Sequence, residues 1–380
     1  MKFIMNEKII RNHEKEYERN SSLELLRILA MIMIVFHHFA VHGGFVYDYS
    51  VLTIPRFWVN FISMGGKIGV DVFVLISGYF LVVDREPVIN VRRIFKFWFQ
   101  IYFYSIVLVG IFGYFGLASI GMKHIAKAVC PILSSSWWFA SAYFVMYLLH
   151  GFINKMLLSF DKKMYQCFLV ILFVCWSIIP TFLPTNFQSN SLTWFIFLYS
   201  LSGYIRLYGL YTLKCRYYCL LWLAVTFITY IGSCIMMLIG TKWNIFAKYS
   251  SHLFAQNSIT VLLTSFFLFM TFLTLKIRYN KYINTVASTT FGVYLIHDSG
   301  LVRPFLWETV FHNANYQDSL MVIPYSIVVV VVVYVCCTVI DLLRKYTIER
   351  YLLSRLGVCL DKSTVKVNNY IQVLGEKLLP

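Results

Sequence analysis

Charged residues are scarce in this sequence. They make up 13% of its 380 residues, against 59% hydrophobic, and the mean hydropathy is +0.69. That balance excludes a soluble domain of this size and implies a polytopic membrane protein. Internal repeats and low-complexity tracts are lacking, and no polar stretch is long enough for a separate soluble domain. The longest expected outer connections, 42–66 and 241–256, are too short to fold alone. The nine cysteines lack the spacing of a disulfide framework or a closed zinc site. Cys215 and Cys219, four apart near a basic turn, supply two thiols where such a site needs four ligands, so no metal is expected. A cleavage site of small residues is also lacking after the charged segment 1–24, so the first apolar run is expected to be retained.

Charge of one sign is in short supply too. Asp and Glu number 17 against 33 Lys and Arg, a formal charge of +16. The cations gather at the ends of apolar runs, which is a topology signal and not a nucleic-acid footprint; membrane lipid is the expected neighbour, with no nucleic acid. The fold expected is all-α, a polytopic membrane bundle of about ten transmembrane helices. Their spans are placed at 25–41, 67–83, 97–118, 137–157, 164–182, 192–209, 217–240, 257–275, 286–306 and 320–343. Twenty-five of the 33 cations fall in one alternating set of connections and six in the other. The heavy set is cytoplasmic by the positive-inside rule, so both termini are expected inside. Three regions follow: a cytoplasmic segment 1–24, a transmembrane domain 25–343, and a cytoplasmic tail 344–380 that reads as an interfacial helix.

The first apolar run, LLRILAMIMIVFHHFAV, carries Arg27 near its start and His37–His38 near its end. Ionisable groups in lipid cost several kcal/mol unless they face a polar cavity, so these are candidates for function. Arg27 and His38 are eleven residues apart, three helical turns plus about 20°, which puts them on one face about 16 Å apart. In the second span Asp71 follows Gly65, Gly66 and Gly69, which permit close backbone approach. Asp71 is a candidate to orient or charge-stabilise the His38 imidazole, or else a structural buried carboxylate. Arg92, Arg93 and Lys96, at the inner end of the third span, could hold the phosphates of a cytosolic donor, or simply anchor the span by snorkelling. His297–Asp298 in the ninth span should face the interior, as part of a site or as a polar link between helices. Trp137 and Trp138 read as an interfacial belt or a surface for stacking on a sugar. His150 reads as a packed histidine. His42, four residues after His38, makes a weak metal case without a third ligand.

Together these pieces resemble the acyltransferase 3 family of integral membrane enzymes, along about 21–343. The resemblance is carried by Arg27-x10-His38 within LRILAMIMIVFHH, GVDVFVLISGYFL at 69–81, Arg93-x-x-Lys96, WWFASAYFVMYLL at 137–149 and FGVYLIH at 291–297. It implies a ten-helix protein that moves an acyl group, usually acetyl from acetyl-CoA, onto sugars of surface glycans. It also implies that His38 is the essential histidine, Arg27 its motif partner, and Arg93 and Lys96 part of the donor site. The family's third-span pair is commonly Arg-x-x-Arg; Lys96 at the second position can hold phosphate as a point charge but lacks the bidentate fork.

The reading is therefore a multi-pass O-acyltransferase of a bacterial plasma membrane. Its acyl-CoA donor, acetyl-CoA, enters from the cytoplasm and is not a tightly bound cofactor. The acceptor is a sugar hydroxyl of a surface polysaccharide or its lipid-linked precursor. His38 acts as general base, with an acyl-histidine intermediate left open; Arg27 sits toward the donor, and His297, Trp137 and Trp138 contact substrate. A transporter or flippase of a lipid-linked sugar is the rival, although no paired halves with matching broken helices are visible. A polysaccharide polymerase should carry a substantial outer loop, which is missing here.

Overall fold

The computed structural model describes residues 20–378 apart from 85–87, 184 and 210–211. Of the segment 1–24, the first 19 residues lie outside the described residues, as does Arg85 of the cationic connection. All regular elements among the described residues are helical. The main ones are α1 (Ser21–Val41), α2 (Ile54–Leu81), α3 (Val91–Tyr114), α4 (Trp138–Ser159), α5 (Lys162–Phe182), α6 (Ser191–Tyr208), α7 (Cys215–Gly240), α8 (Ile259–Thr274), α9 (Lys281–Ala287), α10 (Thr290–His297), α11 (Val322–Arg344) and α12 (Arg350–Leu378).

Polar caps set most of the starts. The Asn20 side chain accepts from the N–H groups of Ser22 and Leu23 to open α1, and Asn90 does the same for Arg93 at the head of α3. Each cap is worth about 1 kcal/mol. Thr53 caps α2 and is followed by Pro55 in its first turn, so α2 begins thirteen residues before the expected span at 67. Most of the expected outer connection 42–66 is thus helix. Arg56, in that first turn, is satisfied by the carbonyls of Asp48, Tyr49 and Val51.

Among the described residues, seven helical segments are long and apolar enough to cross a membrane: α1, α2, α3, α5, α7, Asn244–Thr274 and Val322–Leu374. Three of the expected spans coincide with helices that fall short of that measure. α4 is interrupted by His150, Asn154 and Lys155; α6 has only 18 residues and carries four hydroxyl-bearing serines and threonines among its aromatics. The third, expected as one helix over 286–306, is broken. α9 ends at Ala287 and α10 begins at Thr290, and at this junction the hydroxyls of Ser288, Thr289 and Thr290 donate back to the carbonyls of Thr285, Val286 and Ala287 at 2.6–2.9 Å. α10 then stops at His297, and Asp298 is its C-cap.

α2 is the centre of the bundle, packed against α1, α6 and α8. At Gly69 a Cβ would stand 2.6 Å from the Ala30 carbonyl oxygen, so the α1–α2 approach requires glycine there. α10 packs on α1 and α11. The outward faces of α7 and α11 remain apolar and exposed, with Leu220, Phe227, Ile228 and Leu238 on one and Val328, Val331, Val335 and Leu343 on the other. A row of such residues suits a lipid-facing wall.

The tail is not a separate element after 343. α11 continues through a π-helical turn, Lys345–Glu349, into α12. α12 lies against the head of α3: the Asn368 side chain bonds both backbone groups of Ile89, Thr364 Oγ1 accepts from Val91 N–H, and Asp361 pairs with Arg92 at 3.0 Å.

Candidate active site

A cavity of about 630 Å³ runs through the bundle. Arg27, Arg93, Lys96, Arg344 and Glu349 line it toward the helix ends that also carry α12; His38, His42 and Arg303 line it three turns along α1. Lys67, Trp138 and Tyr143 contribute to its walls. The expected common face of Arg27 and His38 is thus the wall of one cavity.

His38 sits in a chain of hydrogen bonds that fixes its tautomer. His297 Nδ1 is 2.6 Å from the Val293 carbonyl, which can only accept, so Nδ1 carries the proton. In a neutral ring that leaves His297 Nε2 as an acceptor, and His38 Nδ1, 2.9 Å away, must donate to it. The His38 Nε2 lone pair is therefore bare. It faces Asp298 Oδ1 across 3.4 Å, and that oxygen also accepts from Arg303 Nε at 2.7 Å. Two acceptors facing each other make no hydrogen bond until a proton arrives between them. His37 differs: its Nδ1 donates to the Ser63 carbonyl at 2.5 Å.

This overturns the expectation for Asp71. Its carboxylate is wholly buried and does not line the cavity; Oδ1 accepts from Trp194 Nε1 at 3.0 Å and Gln256 Nε2 at 3.2 Å. It ties α2 to α6 and to the approach of α8. The carboxylate facing His38 is Asp298. The sequence had offered it as half of the His297–Asp298 pair, but could not say which carboxylate would meet the imidazole.

His297 is also relocated. It has no exposed surface and does not line the cavity; its ring stands behind that of His38. Trp137 is buried at 3% exposure and stands outside the cavity wall. Trp138 lines the cavity, with the Lys67 ammonium 4.7 Å above its ring. Lys67 is a site residue that sequence reasoning passed over, although a lone lysine in an apolar helix was signal enough. His150 is a packed residue as expected, with Nδ1 on the Tyr147 carbonyl.

The cationic cluster divides. Arg93 and Lys96 line the cavity; Arg92 does not, and is held by Asp361. Arg27 pairs with Glu24 at 3.0 Å, Arg93 with Asp84 at 2.7 Å, and Lys96 with Glu349 at 2.8 Å. Glu349 also holds Arg344 at 2.7 Å, and Arg344 in turn holds Asp341 at 2.7 Å. Asp341 further accepts from Gln100 and Tyr104. At Gly292 a Cβ would fall 2.1 Å from the Asp341 Cγ, so the network lies directly against the α10 backbone. The π-helical turn is what brings Arg344 and Glu349, five residues apart, onto the same cavity wall. Nothing in the sequence of the tail announced them.

A family model described as an acyltransferase domain matches residues 20–342. The chain belongs to the acyltransferase 3 family. No curated protein and no solved structure matches it. As a member of that family, and with seven helices able to cross a bilayer, the protein is an integral membrane acyltransferase. Its matched region ends two residues short of Arg344, so the acyltransferase 3 domain takes in His38, His297 and Asp298 but leaves Arg344 and Glu349 outside.

Proposed function

We propose that the protein transfers an acetyl group from acetyl-CoA to a sugar hydroxyl of a cell-surface polysaccharide or its lipid-linked precursor, with His38 as general base. The observation that carries this reading is the bare His38 Nε2, open to the cavity and 3.4 Å from the Asp298 carboxylate. The acceptor hydroxyl gives its proton to Nε2 as its oxygen attacks the thioester carbonyl carbon. The imidazolium so formed now has an N–H to share with Asp298. The tetrahedral adduct collapses, the carbon–sulfur bond breaks, and the proton passes from His38 to the leaving CoA thiolate. Such a base contributes typically 10²–10⁴-fold.

The donor enters from the cytoplasmic side, with its phosphates on Arg93 and Lys96 and with Arg27 and Arg344 deeper along the wall. Half-exposed ion pairs such as Arg93–Asp84 are worth about 0–1 kcal/mol. Charge-assisted bonds to phosphate are worth about 1.5–3 kcal/mol, so an incoming phosphate displaces Asp84. The Arg344–Glu349 pair, with both side chains about 5% exposed or less, stays in place as a fixed part of the wall. Ten crossings, formed by the seven long apolar helices together with α4, α6 and the broken α9–α10 segment, put both termini in the cytoplasm; the cation bias of the connections supports this. Residence is in the plasma membrane.

The test compares the surface glycan of cells with and without the gene by mass spectrometry, complementing with wild type and with His38→Ala. Acetyl groups present with wild type, and missing both without the gene and with the variant, are expected. A glycan that is unchanged in all strains would overturn the substrate class.

A further inference from the structure

We propose that His38, His42 and Asp298 form a binding site for a divalent transition metal of the zinc class, and that its occupation silences the His38 imidazole. Each of the three residues offers a ligand atom, and these atoms lie within 4.8 Å of one another. His42 follows His38 by one turn of α1, with the two ring centroids 5.3 Å apart. The hydrogen-bond chain from Val293 through His297 leaves His38 Nε2 as a lone pair, the form a metal requires. That chain is also the outer-shell support that metal-bound histidines ordinarily have.

Asp298 supplies the second independent sign. Its Oδ1 is held by Arg303, while Oδ2 is buried without a well-formed hydrogen bond, the Tyr294 hydroxyl of the cavity wall being its neighbouring donor. A buried carboxylate oxygen so incompletely satisfied retains the lone pairs to bind a cation. With metal–ligand bonds of about 2.0–2.1 Å, neighbouring ligand atoms of a tetrahedral site stand about 3.4 Å apart. The His38–Asp298 edge already has that length, at 3.4 Å, and a rotation of the half-buried His42 ring supplies the third vertex.

Two imidazoles and one carboxylate favour zinc-type ions over magnesium or calcium, which prefer oxygen alone. Three protein ligands leave a fourth position, which here opens on the cavity. An ion has a path to it: a smaller pocket of about 360 Å³, lined by Gly44, Gly300, Pro304 and Glu308, shares Val41, His42 and Arg303 with the main cavity. The Arg303 charge opposes a second cation, so the two imidazoles carry most of the affinity. A bound metal takes the lone pair that would otherwise accept the proton. This silencing rests on the base role proposed above; binding does not.

Cobalt(II) is the probe, because its visible bands report nitrogen and oxygen ligation. The purified full chain in detergent should bind one equivalent with such bands, and zinc should displace it. His42→Ala and His42→Gln should weaken binding by about 100-fold or more, whereas His124→Ala, on the exposed short helix Met122–Val129, should bind as wild type does. Absence of saturable binding, or binding by both folded His42 variants as tight as wild type, overturns the site. In acyl-transfer assays zinc should inhibit wild type, chelator should reverse it, and the His42 variants should resist. Transfer that is indifferent to bound zinc, or that requires it, overturns the silencing while the cobalt titration still decides the site. A protein that transfers no acyl group under any condition strikes the functional reading alone.

Discussion

His38 Nδ1 lies 2.9 Å from His297 Nε2, and His297 Nδ1 lies 2.6 Å from the backbone carbonyl of Val293. A carbonyl thus sets the proton position on two rings in succession and leaves the outermost nitrogen free to act. The arrangement does for an imidazole what a buried carboxylate does in serine hydrolases, where the partner fixes the tautomer. Here the carboxylate, Asp298, instead stands on the Nε2 side of the ring.

Replacing His297 by Ala should let His38 choose either tautomer and rotate. Activity should fall by at least about tenfold with donor KM unchanged, because His297 does not line the cavity, and His297→Gln should restore part of it, since a side-chain carbonyl can accept from His38 Nδ1. His38→Ala should abolish transfer at normal membrane levels, and His37→Ala should hurt much less. Steady-state kinetics on purified variants checks all four. An active His38→Ala protein would remove the base assignment.

Asp298→Asn should lower kcat by about 10²-fold or more, within the range for losing support of a general base. The imidazolium would lose its anionic partner, while the Arg303 contact could persist through the amide oxygen. A change confined to acceptor KM would mean that Asp298 binds substrate and does not stabilise charge on His38.

Asp71 should behave as a structural residue. Asp71→Ala leaves the indole N–H of the buried Trp194 and the Gln256 amide without their acceptor, at a cost of about 1–3 kcal/mol for each unsatisfied group. The expected readout is a lower thermal unfolding midpoint in detergent, with kcat per folded molecule near wild type. A folded but inactive variant would return Asp71 to the site.

The cations should separate by place. Arg93→Gln should raise the donor KM about tenfold, from the loss of about 1.5–3 kcal/mol at a phosphate contact. Arg92→Gln should leave it within about twofold, because Arg92 faces Asp361 on α12 and its exposed pair is worth little. Lys96→Arg should preserve or improve donor binding by restoring the fork. Titrating acetyl-CoA against the three variants, with topology checked in parallel, measures this. Equal effects at Arg92 and Arg93 would refute the division of the cluster.

Much of the architecture was legible because it rests on local quantities. Apolar run length marks where helices can lie in lipid, so most expected spans overlap observed helices to within a few residues. Arg27 and His38 were legible as a pair because both sit on one helix, where spacing alone fixes the shared face. Arg93 and Lys96 were legible for the same reason. The break at 288–290 was not, since hydroxyl residues bond back to helix carbonyls in unbroken helices as well, and apolar flanks hide the three of them from a hydropathy window.

The sequence by itself determined the helical class, the membrane setting and the one face of α1 that bears Arg27 and His38, since each follows from composition or from the pitch of a single helix. Only the tertiary structure decided which carboxylate meets His38. Asp71 and Asp298 both lie inside expected apolar spans, and no spacing distinguishes them. The choice depends on how α2 is rotated about its own axis against α6, which turns Asp71 toward Trp194, and on the end of α10 packing beside α1, which delivers Asp298. Rotation and docking of one helix on another are set by side-chain fit across distant parts of the chain, where sequence separation carries no geometric information.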